Sequence, residues 1–170
     1  FIYANPNHIN NLENIINSCF LNVTNFTAKP YTSALSALTD EEKNQGSVCI
    51  DIGAGTTSIS VFIDGSIVYA KSLNLGGWYI TNDISKELST PFDQAEALKT
   101  LYGSALRGAN DGEEIFQIPV IGGNEENRLS FSRSKLISII KPRLWEILMH
   151  SKKCIEQSGY KDISKKNTII

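Results

Sequence analysis

Asp51, Gly53, Gly55, Thr56 and Thr57 fall within one stretch, Cys49-Ile50-Asp51-Ile52-Gly53-Ala54-Gly55-Thr56-Thr57, and their types suit the recognition of phosphate. Glycine tolerates the positive φ of a tight turn, and without a Cβ it lets backbone N–H groups approach an anion closely. The two threonines add hydroxyl donors, and the Asp51 carboxylate can hold a magnesium ion or orient water. The order strand, acid, glycine turn, paired hydroxyls, strand describes a phosphate clamp between two strands. It is not a Walker-type loop, which would end in Gly-Lys-Ser/Thr. Read from these residues alone, an ordinary β-hairpin with a glycine turn fits equally well.

The elements that would position this turn are legible on both sides. β-branched residues lead into Asp51, and Ile59, Val61 and Ile63 leave the turn with period two. Asp64-Gly65 is a two-residue hairpin signal, and Ile67, Tyr69, Lys71 and Leu73 continue the alternation, so the clamp sits at the first turn of an antiparallel meander. Upstream, Phe1–Ala4 reads as a short strand. Ile9, Leu12, Ile15, Ile16, Cys19 and Phe20 share a helical face, with Asn7 as N-cap. Val23–Ala28 reads as a weak strand, and Pro30 opens a helix through Leu38. Thr39-Asp40-Glu41-Glu42 has the composition of a further helix start.

Downstream, Gly76-Gly77 breaks the strand, and Trp78, Tyr79, Ile80, Ile84 and Leu88 give a helical face that Pro91 ends. A second helix carries Phe92, Ala95, Leu98, Leu101 and Tyr102, with Glu96 and Lys99 paired i,i+3 on the neighbouring face and Gly103 at C′. Glu113–Ile121 alternates, with Pro119 favouring an edge strand. Gly122-Gly123-Asn124 is a turn, and Leu129–Phe131 a returning strand. Ser132 or Ser134 caps the longest helical stretch, which holds Leu136, Ile139, Ile140, Leu144, Ile147 and Leu148 inward. Proline inside a helix costs about 3 kcal/mol or more, so Pro142 predicts a kink or a new helix start. Ser158-Gly159 ends the helix, and 162–167 is a charged connector into a final strand.

The 170 residues are 41% hydrophobic and 20% charged, a globular composition. A net charge of −2 supplies no basic field for nucleic acid. The cysteines Cys19, Cys49 and Cys154 are odd in number and far apart, and Cys49 and Cys154 sit in apolar surroundings, which fits buried reduced thiols rather than a disulfide framework. His8 and His150 have no partners at metal-ligand spacing, and no apolar run approaches the ~20 residues of a membrane span. The chain opens on Phe1 and ends on Thr168-Ile169-Ile170 with strand character, which reads as a fragment.

These motifs occur in a recognisable order. The stretch Cys49–Thr57 resembles the second phosphate motif of the actin-like ATPase superfamily. Leu38–Lys43 before it, Gly76–Ile84 after it, Ala95–Lys99 with Tyr102-Gly103, and Ile139–Arg143 stand where the bacterial cell-division FtsA family has similar runs. The resemblance covers nearly the whole chain. It implies an α/β, actin-like (ribonuclease H-like) fold, present in part, with a β-meander core and a smaller α+β outer subdomain. On that template 1–46 ends the first actin-like domain as strand-helix-strand-helix. Residues 47–75 start the second, 76–160 form the outer subdomain with a partner site, and 161–170 re-enter the core.

The resemblance further implies ATP and magnesium as cofactors. Asp51 would organise magnesium and water, while Gly53, Ala54, Gly55, Thr56 and Thr57 line the phosphates and Glu96 and Lys99 the ribose edge. Ala54 stands where the family has a middle glycine, which suits binding only if its φ is negative, and Ser58 stands where aspartate is frequent. Both imply weak or no hydrolysis. The implied role is an adaptor that self-associates into actin-like filaments and binds the FtsZ C-terminal tail. It would tether FtsZ to the cytoplasmic face of the inner membrane at the division site, through a C-terminal helix absent from this chain. Arg143, Lys141 and Arg133, beside the apolar seam of the long helix, would meet that acidic tail; on spacing alone they fit a solvated basic face. The alternative is another superfamily ATPase, a sugar or acetate kinase or a chaperone, for which the outer segment offers no sugar-binding cluster.

Overall fold

In the computed structural model, residues 5–108, 110–121, 128–164 and 167–170 are described. The phosphate-motif stretch forms the centre of a four-stranded sheet. Strands β1 (Ser47–Ile52), β2 (Thr57–Ile63) and β3 (Ser66–Leu73) make the expected antiparallel meander, and β6 (Thr168–Ile169) adds to β1 in parallel, giving the order β3-β2-β1-β6. Asp64 and Gly65, at φ 49° and 74°, turn the β2–β3 hairpin as their types predict. β1 is apolar along most of its length because both of its faces are covered.

One face is covered from upstream. Helix α2 (Lys29–Ala37) lays Ala34 against Cys49 and Phe62, with Leu38 just beyond the helix end and Tyr31 stacked 6.3 Å from the Phe62 ring. Helix α3 (Asp40–Gln45) starts with a capping box: the Thr39 hydroxyl accepts from the Glu42 amide, and the Glu42 carboxylate accepts from the Thr39 amide. The other face packs Val48, Ile50, Ile59 and Val61 against Cys154 and Ile155 of the long helix α6 (Arg133–Gln157), with Tyr160 and Ile163 beside them. The short helix α7 (Lys161–Ser164) leads from there back to β6.

The outer layer is built on the other half of α6. Helices α4 (Gly77–Glu87) and α5 (Phe92–Tyr102) and the hairpin β4 (Ile115–Pro119) and β5 (Arg128–Ser132) enclose Ile80, Ile84, Ala95, Leu98, Ile118 and Phe131 with Leu136, Ile139, Ile140 and Ile147. One helix therefore carries two cores, the outer one on its first half and the sheet on its last turns.

Several expectations are corrected. Residues 23–28 form no strand: a strand needs a ladder partner, and β1 is already flanked by β2 and β6. Residues 5–46 are thus three helices, with α1 (Pro6–Ser18) capped by Asn5 rather than Asn7 because Pro6 suits the first helical position. None of α1 is buried, so its apolar face finds no cover here. Gly103 is extended, at φ −63°; a Cβ there would collide with the Lys99 carbonyl, so close approach and not a left-handed turn requires glycine. Pro142 lies inside one unbroken α6 and starts no new helix. The strand expected at 1–4 and the turn at 122–124 lie outside the described residues. No helix among the described residues is long and apolar enough to cross a membrane.

Candidate functional site

The turn between β1 and β2 is closed by one hydrogen bond, from the Gly53 amide to the Thr56 carbonyl at 2.9 Å. That bond removes the Gly53 amide from the donors expected to face a phosphate. The amides of Ala54, Gly55 and Thr56 have no acceptor among the described residues, and Ala54 and Gly55 are exposed. None of the three glycine-turn positions 53–55 takes a positive φ, so Ala54 meets the condition its methyl group imposed. The glycines serve space instead. A Cβ on Gly53 would stand 2.8 Å from the Lys29 ammonium, and one on Gly55 would meet nothing within 4 Å. The open side of the turn is at Gly55.

Asp51, at the end of β1, faces α2. Its Oδ2 accepts from the Ser33 hydroxyl at 2.7 Å and lies 3.1 Å from Lys29 Nζ. The Ser33 hydrogen bond, joined by Lys29 and opposed by partial burial, holds this carboxyl below the usual carboxylate range. Asp51 also lines an open groove of about 430 Å³ with Ser33, Ser36, Ile52 and Ile169. Directly across the ladder from Asp51 is Ser58, whose buried hydroxyl has no partner among the described residues. A buried hydroxyl left unpaired costs about 1–3 kcal/mol, so its position beside Asp51 favours a bridging water or ligand oxygen. Thr57 is different. Its buried hydroxyl donates to the Leu75 carbonyl at 2.7 Å and ties the turn to the segment between β3 and α4, which takes it out of the phosphate-facing set.

The outer layer grips the same turn from above. The amides of Gly77 and Trp78, in the first turn of α4, donate to the carbonyls of Gly53 and Ala54 at 2.9 and 2.8 Å. Gly76 permits this contact: a Cβ there would lie 2.5 Å from both carbonyl oxygens. Glu96 and Lys99 reach the same place from α5. Lys99 Nζ lies 2.7 Å from Glu96 Oε2, donates to Thr81 Oγ1 at 2.8 Å, and reaches the Gly77 carbonyl at 3.3 Å. The Lys99 hydrogen bond, followed by that of Thr81, holds the Glu96 carboxyl below its usual range. The pair is therefore brought to the first turn of α4, whose Gly77 amide bonds the phosphate turn, and is completed by Thr81.

Lys29, Ser33 and Thr81 did not stand out as site residues in the sequence. The first two come to Asp51 only through the packing of α2 on the sheet. One local signal existed: Lys29 opens a helix whose first turn holds no acid, against the preference of the positive helix end.

The three basic residues on α6 do not form one patch. Lys141 and Arg143 are two positions apart, about 200° around a helix. Arg143 faces α4, where it forms a two-pronged pair with Asp83 (2.6 and 3.1 Å), reaches Glu146, and lies 5.8 Å over the Tyr79 ring. Arg133 pairs with Glu114 at 3.1 Å and Asp111 at 3.7 Å. Lys141 lines a separate groove of about 490 Å³ with Arg107, Ile137, Ser138, Pro142 and the exposed Trp145. Among the described residues neither Lys141 nor Arg107 has an ion-pair partner. The expectation of a single basic edge is thereby corrected: Arg143 and Arg133 are bound into the structure, and Lys141 is the free cation of the three.

The family model described as cell division protein FtsA matches residues 48–163. The cell division protein FtsA of Rhizobium meliloti (strain 1021) is 37% identical over 163 residues, covering 95% of this chain and 37% of that protein. Its namesake in Bacillus subtilis (strain 168) is 33% identical over 155 residues, covering 91% and 35%. The chain thus spans a little over a third of the length of the curated relatives it matches. Among solved structures, MreB5 of Spiroplasma citri bound to ADP superposes with a TM-score of 0.73 at 20% identity, over 88% of this chain and 48% of that one. The AMPPNP-bound form gives 0.75 at 22% identity, over 90% and 48%. The fold is the actin-like one, present in part.

Proposed function

The chain belongs to the family of cell division protein FtsA, and on that footing we propose that it is the nucleotide-contacting and partner-docking part of an ATP-binding division adaptor. The observation that carries this reading is the open turn: amides at Ala54, Gly55 and Thr56 with no acceptor among the described residues, the first two exposed, beside Asp51 and the Ser58 hydroxyl that has no partner there either. Successive amides without acceptors and an adjacent carboxylate suit a polyphosphate, and open space at Gly55 admits one. The Spiroplasma MreB5 structures, solved with ADP and AMPPNP, support a nucleotide as the ligand of this fold. Magnesium, which keeps several waters and needs one or two carboxylates plus phosphate oxygens, would be held by Asp51. Glu96 and Lys99 would face the ribose edge.

In this reading residues 1–46 close the first actin-like domain, 47–75 and 161–170 belong to the second, and 76–160 form the outer subdomain. The whole protein self-associates into actin-like filaments. It recruits FtsZ by its C-terminal tail and holds it to the cytoplasmic face of the inner membrane through an amphipathic helix outside this chain. Hydrolysis is slow, and the nucleotide serves mainly to bias the arrangement of the domains. The tail-docking surface is the groove of Arg107, Lys141, Pro142 and Trp145. Two cations without acidic partners among the described residues and an exposed indole suit a short acidic and apolar peptide.

Titrating full-length protein with a fluorescent ATP analogue and, separately, with a labelled FtsZ tail peptide tests both halves. The expected result is saturable binding of each, with peptide binding weakened by Lys141→Glu. Absence of nucleotide binding removes the first half, and peptide binding indifferent to Lys141→Glu removes the assigned surface.

A further inference from the structure

Lys29 is placed as no packing requirement explains. It is the first residue of α2, where the helix dipole disfavours a cation, and its side chain stays half exposed. Its ammonium nevertheless sits at the mouth of the phosphate turn. It lies 3.1 Å from Asp51 Oδ2, and only 2.8 Å from where a Cβ of Gly53 would be. Asp51 is the acid closest to the turn, and an arriving polyphosphate would meet its charge. That repulsion can be cancelled by a divalent ion brought with the nucleotide, or by a cation already in the chain.

We infer that Lys29 is the resident cation of this site, neutralising Asp51 and bonding the nucleotide's terminal phosphate directly, so that nucleotide binding here depends little on magnesium. The inference rests on the nucleotide reading above. A lysine reaches phosphate as a mobile point charge on a four-carbon stem, and the Ala54, Gly55 and Thr56 amides lie on the same turn. Ser33 fixes Asp51 independently, since its hydroxyl bonds the same carboxylate oxygen. Lys29 can therefore leave Asp51 for a phosphate oxygen without unseating the carboxylate. The same ammonium competes with magnesium for Asp51, because both need that carboxylate.

The test is the affinity of the full-length protein for a fluorescent ATP analogue, measured in magnesium and in EDTA at matched ionic strength. The readout is the ratio of the two affinities. For the unmodified protein it is expected to stay within about threefold of unity. In Lys29→Gln, which keeps most of the stem, it is expected to rise about tenfold through weakened binding in EDTA, the size of one charge-assisted hydrogen bond. Lys29→Arg is expected to retain the original ratio, and melting curves identify any variant that has lost its fold. A ratio unchanged by Lys29→Gln overturns this inference and leaves the nucleotide reading standing. No binding by the unmodified protein in either buffer overturns both.

Discussion

Asp51 and Asp83 each hold a cation delivered by another helix, and they differ in how completely the groups around them are paired. Asp83 meets Arg143 through both oxygens, while Glu146 and the face of Tyr79 take up the rest of the guanidinium. The cluster joins α4 to α6. Asp51 meets a lysine and a serine through a single oxygen, beside three unengaged amides and a buried hydroxyl without a partner. The fork of arginine closes a site, whereas the point charge of lysine can move. The residue types at the two places are alike; what remains unpaired separates a structural joint from a candidate site.

The largest expected effect breaks the link between the two places. Gly76→Ala puts a methyl group 2.5 Å from the Gly53 and Ala54 carbonyls, so the first turn of α4 must lift off the phosphate turn. Overpacking of this kind costs about 1–3 kcal/mol. Thermal melts are expected to drop by several degrees, and nucleotide affinity to fall with them, because the turn loses its support. A melt and affinity equal to those of the unmodified protein would dissociate α4 from the site.

Arg143→Ala separates the two aspartates. It removes the Asp83 and Glu146 contacts and should cost about 1–2 kcal/mol, less than a fully buried pair because the side chains are about a quarter exposed. Its effect on a tail peptide should be small, because Arg143 is already paired; a strong loss of peptide binding at an unchanged melting temperature would restore it as a contact residue.

The smallest effect is at acid pH. The folded-state pKa of Asp51 is depressed, first by Ser33. Its contribution to stability is therefore present above the unfolded carboxylate pKa and is lost as pH falls through the folded value, below about pH 4. Ser33→Ala removes the largest cause of that depression, with Lys29 keeping its share, and takes away under about 1 kcal/mol of stability near neutral pH. Denaturant melts of the variant and the unmodified protein should converge at low pH, and a gap that persists there would count against Asp51 as the source.

Much of the fold was legible because it is local. Period-two alternation gave the meander, Asp64-Gly65 its second turn, and Thr39 with Glu42 the start of α3. The strand expected at 23–28 failed because β propensity says nothing about an available ladder partner. Of the candidate site, type and spacing left the turn open between a hairpin and a clamp and Glu96–Lys99 as a surface ion pair; the family resemblance gave both their site roles, and the structure adds Thr81 beside the pair. Lys29 and Ser33 were hidden because only the packing of α2 on β1 brings them to Asp51. The basic residues of α6 were misread for a simpler reason. Helical phase alone sets Lys141 opposite Arg143, and proximity in sequence is not proximity on a surface.

The central claim, that the open turn takes the phosphates of a nucleotide, is tested most directly at Gly55. Its φ is outside the left-handed region, and a Cβ there meets nothing within 4 Å, so the fold tolerates a larger residue. Gly55→Val fills the space assigned to phosphate. The measurement is ATP affinity of the full-length variant alongside its melting temperature. The account predicts an unchanged melting temperature with binding weakened about tenfold or more, the loss of at least one charge-assisted hydrogen bond. Unaltered ATP affinity in a folded Gly55→Val protein would contradict it.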